Sequence, residues 1–258
     1  MTDRVLLSTS PDNLEACLAL ATERGLGIEL MTFSQPAVLD DDWHTVVARY
    51  RPLLRSIRGG LTMHGPFYDL APGSIDARIN QVTQQRYQQA LHIAAELGVS
   101  IVVFHANFIG AIRTEEYRSG WLARNVAFWG ALAEEAQRIG IIIAVENMWE
   151  FDPDIIGDIL RQVEHPALRA CLDVGHAYLY STIPFEVWLA RLAPYIVHTH
   201  INNTPGSLID NHRGLHDGVI DYRQVLPRLR ALPHRPSFTL EMDHVDFMRA
   251  SLDLLELG

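Results

Sequence analysis

"IIIAVEN", Ile141 to Asn147, is a run of five apolar residues closed by a carboxylate and an amide. It follows Gly140 and is rich in β-branched residues. That reads as a short strand buried on both faces, since an amphipathic helix needs ten or more residues with a one-sided apolar stripe. Seven comparable runs occur: "RVLLS" (4–8), "IELM" (28–31), "LTMH" (61–64), "IVVFH" (101–105), "ACLDV" (170–174), "YIVHTHI" (195–201) and "SFTLEM" (237–242). Helical patterns separate them. "SPDNLEACLALATERG" offers Ser10 as a cap, Pro11 in the first turn, apolar Leu14, Cys17, Leu18 and Ala21, and a stop at Gly25. Longer patterns run over 76–98 and 114–140, each ending in glycine, and shorter ones over 152–163, 184–192, 221–232 and 245–257. Strand and helix therefore alternate from end to end, the pattern of a parallel α/β architecture. Eight such units favour a closed barrel over an open doubly wound sheet. The first strand is followed by "STSPDNL" with no G-x-G-x-x-G, which argues against a Rossmann dinucleotide site there.

Length and composition agree with one barrel. The 258 residues contain no Ser/Gly-rich linker, charge block or low-complexity segment, so a single domain over 1–258 is expected. Apolar residues make up 48%, but no stretch is long enough to span a membrane, and "MTDRVLLSTS" lacks the basic start of a secretion signal. Cys17 and Cys171 are far apart and imply no disulfide framework. A cytoplasmic protein without membrane partners is expected. A net charge of −10 argues against a nucleic-acid partner.

Polar residues fall at the strand ends. His64, His105, Glu146, Asp173, His200 and Glu241 close six successive runs, and in a β/α barrel those C-terminal ends meet at the face that carries active sites. Taken singly, a strand-end histidine more often hydrogen-bonds a loop than a metal. Six together, with no clustered Lys or Arg, would be too costly to bury without a cation. In "LDVGHA", Gly175 is expected to let the backbone turn sharply and bring His176 over the rim beside Asp173. Asp210 and His212, two residues apart in a Gly/Asn/Pro-rich loop, form a second compact chelate. His198 shares the face of His200 one layer lower, which suits a supporting role. His44, His92, His165, His234 and His244 fall on helices or turns, and His216 stands ambiguously in the loop of His212.

The order and spacing of "IELMTFSQP", "HGPFYDL", "VVFH", "VENM", "LDVGHA", "HINN" and "TLEM" resemble the xylose isomerase-like TIM barrels. This superfamily contains sugar and sugar-phosphate isomerases and epimerases together with endonuclease IV of AP endonuclease family 2. The resemblance covers essentially the whole chain and implies a (β/α)8 TIM barrel. In the epimerase branch it implies one divalent ion on Glu146, Asp173, His200 and Glu241. In the endonuclease branch it implies three zinc ions on those four with His64, His105, His176, Asp210 and His212. One to three Zn²⁺ or Mn²⁺ ions per chain are thus expected.

Two chemistries follow from the resemblance. In an isomerase or epimerase, the metal would make the proton beside a sugar carbonyl acidic and stabilise an enediolate, with Glu146 and Glu241 as the proton-transferring pair and His176 on the oxygen that gains charge. Phe67, Tyr68, Phe108, Trp149 and Tyr178 could wall off the sugar, although loop packing accounts for each equally well. In a multinuclear hydrolase, all nine ligands would assemble two or three ions. The loop "FSQPAVLDDDW", with Asp40 to Asp42, would repel a phosphate backbone, and Arg213 is only a loose counterpart of the arginine that sugar epimerases carry after strand seven. A non-catalytic sugar-binding barrel is disfavoured because every ligand position is filled. The expectation is an isomerase or epimerase acting on a small sugar or sugar phosphate, with hydrolase as the alternative. A homo-oligomer is compatible with the sequence, though no exposed stripe marks an interface.

Overall fold

A computed structural model describes residues 3–206 and 208–256; the outermost residues of the 1–258 span lie outside it. Eight strands, β1 (Val5–Thr9), β2 (Gly27–Leu30), β3 (Leu61–His64), β4 (Ile101–His105), β5 (Ile142–Glu146), β6 (Leu168–Asp173), β7 (Ile196–Ile201) and β8 (Ser237–Leu240), pair in parallel in chain order. Pairing of β8 with β1 closes the ring. The fold is a (β/α)8 TIM barrel.

Helices α1 (Leu14–Arg24), α2 (Pro36–Asp40), α3 (Trp43–Leu54), α4 (Ala77–Leu97), α5 (Glu115–Arg138), α6 (Asp154–Val163), α7 (Val174–Tyr180), α8 (Phe185–Leu192) and α9 (Tyr222–Arg230) connect the strands, and α10 (Val245–Glu256) follows β8. Their ends follow local chemistry. Asp76 caps α4 by accepting from Arg78 N and Ile79 N, and Thr114 caps α5 by accepting from Tyr117 N. Ser10 does not cap α1: residues 11–13 form a turn, Asn13 takes the cap position, and its Oδ1 accepts from Ser10 N instead. Of the three acidic residues after β2, Asp42 caps α3 and Asp40 pairs with Arg86 of α4. Gly120 and Gly130 lie inside an unbroken α5.

Two apolar layers result from the two-residue period of the strands. Outward residues such as Leu7, Ile28, Val102, Phe104 and Ile143 join the helices in one large core. A small separate cluster of Ile101, Val103, Ala144 and Cys171 shares the face of His105, Glu146 and Asp173 and fills the barrel below them. The inside of the barrel is therefore apolar only in part, and its upper layers are polar. Among the described residues no helix is long and apolar enough to cross a membrane.

Candidate metal centre

Parallel pairing brings the strand ends to one rim. His64, His105, Glu146 and Asp173 are the last residues of their strands, His200 is one from the end of β7, and Glu241 follows β8. His105 lies in register with Glu146, and Asp173 with His200. All six are buried.

The remaining three expected residues arrive from loops. His176 sits in the first turn of α7, whose cap is Asp173: its Oδ1 accepts from His176 N at 2.6 Å. This corrects the sharp turn expected at Gly175, which is helical. Glycine is needed there for space, because a Cβ would stand 2.1 Å from Asn202 Oδ1. Asp210 and His212 belong to the loop after β7. Asn203 pins that loop, donating from Nδ2 to Leu215 O and Ile220 O and pairing its backbone with Arg213. Arg213 itself pairs with Asp217.

Among the described residues four groups of potential ligand atoms each lie within 4.8 Å of one another: His64, His105 and Glu146; Glu146, Asp173, His200 and Glu241; His176, Asp210 and His212; and, one layer lower, Cys171 and His198 with His200, a group the sequence did not announce. All nine residues singled out from the sequence are used. Glu146 is the hub: Oε2 lies 3.2 Å from His64 Nε2 and 3.1 Å from His105 Nε2, while Oε1 lies 3.1 Å from His200 Nδ1 and 3.4 Å from His176 Nδ1. Glu241 Oε2 is 3.1 Å from His200 Nδ1, and His176 Nε2 is 3.0 Å from Asp210 Oδ2. No described ligand group includes His216.

The imidazole protons test whether a cation fits. His64 Nδ1 lies 2.8 Å from Gly65 O, His176 Nδ1 2.9 Å from Asn147 O, and His200 Nε2 2.9 Å from Glu29 Oε1. Each partner can only accept, so each of those nitrogens carries the proton. In a neutral ring the opposite nitrogen then presents a lone pair to a carboxylate oxygen of Glu146, Asp210 or Glu241. Two electron-rich atoms facing each other need either a further proton or a positive ion between them. Glu241 Oε2, Asp210 Oδ1 and His212 Nε2 are buried and lack an aligned hydrogen bond, although the latter two approach to 3.1 Å. Ligands turned toward a shared cation would leave those atoms in this state, and the mixed nitrogen and oxygen donor set suits a divalent ion.

Proton affinities record the same crowding. Burial would raise the Glu146 carboxyl, but His200 and His105 hold it well below the usual carboxylate range. Glu241 is brought to about 2 by His200 and His212 against the effect of burial. Burial pushes Asp173 up to about 7, with His176 pulling the other way. His212, lowered by burial but raised more by Glu241 and Asp210, reaches about 9. His176 and His200 are raised well above the ordinary imidazole value, whereas burial lowers His105.

One functional candidate has no strand-end signal in the sequence. Glu29 of β2 is fully buried, and its carboxylate accepts from Thr62 Oγ1 at 2.7 Å, Thr239 Oγ1 at 2.8 Å, His198 at 2.7 Å and His200 at 2.9 Å. The signal that could have found it is a carboxylate inside "IELM", a run otherwise apolar. His198 lies one layer below His200, its Nδ1 2.6 Å from Ser237 Oγ.

The aromatic residues divide. Phe67 packs on His105 and His64, with ring centroids 4.9 and 5.1 Å apart. Phe108 is buried against Tyr117 and Trp121 and also borders the cavity beside Trp149. Tyr68 and Tyr178 are exposed, and Trp149 is 48% exposed beside a cavity of about 420 Å³ that Asn107, Ile109, Arg113, Phe151 and Tyr180 also line. The Tyr180 ring stands 5.9 Å from His176, so the cavity adjoins the ligand cluster.

The profile described as "Xylose isomerase-like TIM barrel" matches residues 18–256. The chain belongs to that family. The uncharacterized protein MJ1311 of Methanocaldococcus jannaschii is 26% identical over 203 residues, 76% of this chain and 69% of that protein. Among solved structures, the TTHB071 protein of Thermus thermophilus, from a soak with ZnCl2, is 29% identical with a TM-score of 0.83, covering 98% of this chain and 97% of that one. A D-tagatose 3-epimerase-like protein is 23% identical with a TM-score of 0.77, covering 98% and 96%. The 3-keto-D-glucoside 4-epimerase YcjR of E. coli is 15% identical with a TM-score of 0.77, covering all of both chains. At those last two identities the likeness shows the fold.

Proposed function

We propose that this chain is a divalent-metal enzyme that isomerises or epimerises a sugar or sugar phosphate through an enediolate. The observation that carries the reading is the buried quartet of Glu146, Asp173, His200 and Glu241, whose ligand atoms all lie within 4.8 Å of one another at the barrel mouth. Solved structures of the same fold, one named a 3-keto-D-glucoside 4-epimerase and one D-tagatose 3-epimerase-like, support the reaction class. A bound divalent ion supplies Lewis acidity, drawing electron density from a carbonyl and a neighbouring hydroxyl so that the proton between them becomes acidic.

The chain's own residues then divide the work. The sequence contains no lysine, so a carbonyl substrate cannot be held as a lysine Schiff base and carbon acidity must come from electrostatics. Glu241, nearer the opening than Glu146, is the carboxylate placed to take a proton from a substrate carbon, and Glu146 is its partner across the ligand group. His176, raised well above the ordinary imidazole value, keeps a proton on Nε2 that Asp210 Oδ2 accepts at 3.0 Å, and can pass it to an oxygen that gains charge only by exchanging Asp210 for that oxygen. Tyr180, Trp149 and Phe151 line the adjoining cavity and can exclude water from the sugar's remote carbons.

A specific observation favours a second reading, a multinuclear hydrolase. Of three further ligand groups among the described residues, His64 and His105 share Glu146 with the quartet, and His176, Asp210 and His212 stand beside it. Glu29, Glu146, Asp173 and Glu241 are buried and Asp210 is partly buried, yet none pairs with an arginine among the described residues. One dication offsets two of those five charges, leaving the rest to protonated imidazoles, whereas three dications would offset all of them. His176 is then a neutral ligand rather than a donor.

Metal analysis of the purified protein, with turnover assays on ketoses, their phosphates and abasic-site DNA, tests both. Zinc is the first ion to assay, since the 29% identical structure came from a ZnCl2 soak. Sugar turnover with the quartet ion alone, retained in His212→Ala, supports the isomerase. Three ions per chain with phosphodiester cleavage and no sugar turnover would replace it with the hydrolase.

A further inference from the structure

We propose that Glu29 is a positioning residue for the metal centre, acting through His200. It belongs to none of the ligand groups and stands on β2, separated from β7 by β1 and β8, yet it reserves one carboxylate oxygen for a single ligand. Oε1 accepts from His200 Nε2 at 2.9 Å, while Oε2 takes Thr62 Oγ1, Thr239 Oγ1 and His198 Nε2. Four donors from three other strands, β3, β7 and β8, leave the carboxylate no freedom to turn, so Oε1 is held under the His200 ring.

Two consequences follow for that ring. An acceptor at Nε2 makes Nε2 the protonated nitrogen and leaves Nδ1 as the lone-pair nitrogen, and Nδ1 is the atom 3.1 Å from both Glu146 Oε1 and Glu241 Oε2. The negative charge behind the ring also raises the electron density that Nδ1 can offer a cation. His200 is buried completely, so no solvent molecule at the surface can take the place of Glu29. Partners of this kind typically contribute about 10- to 100-fold to metal affinity.

The inference rests on the quartet holding a cation and is independent of the substrate. Glu29→Gln separates charge from shape. Its amide oxygen can still accept from His200, the two threonine hydroxyls can rotate to accept from the amide nitrogen, and His198 can shift its proton to Nδ1, 2.6 Å from Ser237 Oγ. Glu29→Ala removes both charge and acceptor. Zinc affinity is measured for wild type and both variants by competition with a chromogenic chelator, alongside melting temperatures of the chelated proteins. Histidine ¹⁵N shifts of the zinc-loaded wild type report which His200 nitrogen carries the proton. The expected result is weakening of about 10-fold for Glu29→Gln and about 100-fold for Glu29→Ala, with Nε2 protonated and Nδ1 metal-bound in wild type. A folded Glu29→Ala that binds zinc within about threefold of wild type overturns the inference, as does coordination through Nε2. If neither variant folds, the ring signature of the wild type decides. Wild type that binds no cation would sink the metal-centre reading along with it, whereas tight wild-type binding with unaffected variants removes only the role of Glu29.

Discussion

Gly175→Ala and Gly130→Ala place the same methyl group in two helices and should move stability in opposite directions. On Gly130, in the middle of α5, an added Cβ meets only Val163 Cγ1 at 3.9 Å, ordinary contact. Replacing a helical glycine with alanine there should add about 0.5–1 kcal/mol. On Gly175 the Cβ would lie 2.1 Å from Asn202 Oδ1, against 3.4 Å or more in ordinary contact. Asn202 is buried, and its Oδ1 has no hydrogen bond to lose. Its Nδ2, however, donates to Asp173 Oδ2 at 3.0 Å, so turning the amide away breaks a bond to a carboxylate. Overpacking costs about 1–3 kcal/mol, and a hydrogen bond to a charged group is worth about 1.5–3 kcal/mol. A loss near about 4 kcal/mol lowers the melting temperature of a chain this size by about 10 °C, while Gly130→Ala raises it by about 2 °C. Calorimetry on chelated protein reads both without the added stability of a bound ion. A Gly175→Ala protein that melts within about 2 °C of wild type would show that glycine is not there for space.

Asp173→Asn should bind zinc at least about 100-fold more weakly by equilibrium titration, yet the chelated variant should melt no lower than wild type. Burial among Glu146 and Glu241 already disfavours that charge, and asparagine caps helices well; a large loss of melting temperature would contradict this. The chelated wild type should lose stability as pH rises from about 6.5 to 9. His212 is raised to about 9 in the folded protein, so its contribution is complete below the unfolded value and lost through the folded one. That amounts to about 3 kcal/mol, in the same direction as Asp173, whose protonated form is favoured up to about 7. Zinc should reverse the slope, because binding releases those protons; a melting temperature flat from pH 6 to 9 without metal would refute the assignment. Trp149→Ala should raise KM for the true sugar about fivefold with kcat little changed, since it removes wall area without touching the ligand groups.

Much of this arrangement is legible in the sequence because a barrel strand has few options. Runs of four to six apolar residues can only be buried, and a carboxylate or imidazole at the end of one projects at the mouth. His64, His105, Glu146 and Asp173 are placed by that rule. Glu29 is not, because it sits within its run, and only the two-residue period distinguishes its inward side chain from the outward Ile28 and Leu30. Gly175 misleads for a related reason: a glycine beside a ligand invites a conformational explanation, whereas the requirement comes from Asn202, 27 positions later. The loop bearing Asp210 and His212 is organised by Asn203, an amide with no local pattern to announce it. Ser10 loses the cap position because residues 11–13 form a turn that delays the helix start, and Asn13 turns its Oδ1 back to Ser10 N rather than into the helix.

Glu146 turns one oxygen toward His64 and His105 and the other toward His200 and His176. Were ions held on both sides, this one carboxylate would make the two sites thermodynamically dependent. Occupancy on one side would withdraw charge from the other, and by reciprocity a second ion would alter retention of the first by the same factor. Loading curves would then depart from a sum of independent isotherms, and stepwise chelation would strip ions in an order set by the shared anion.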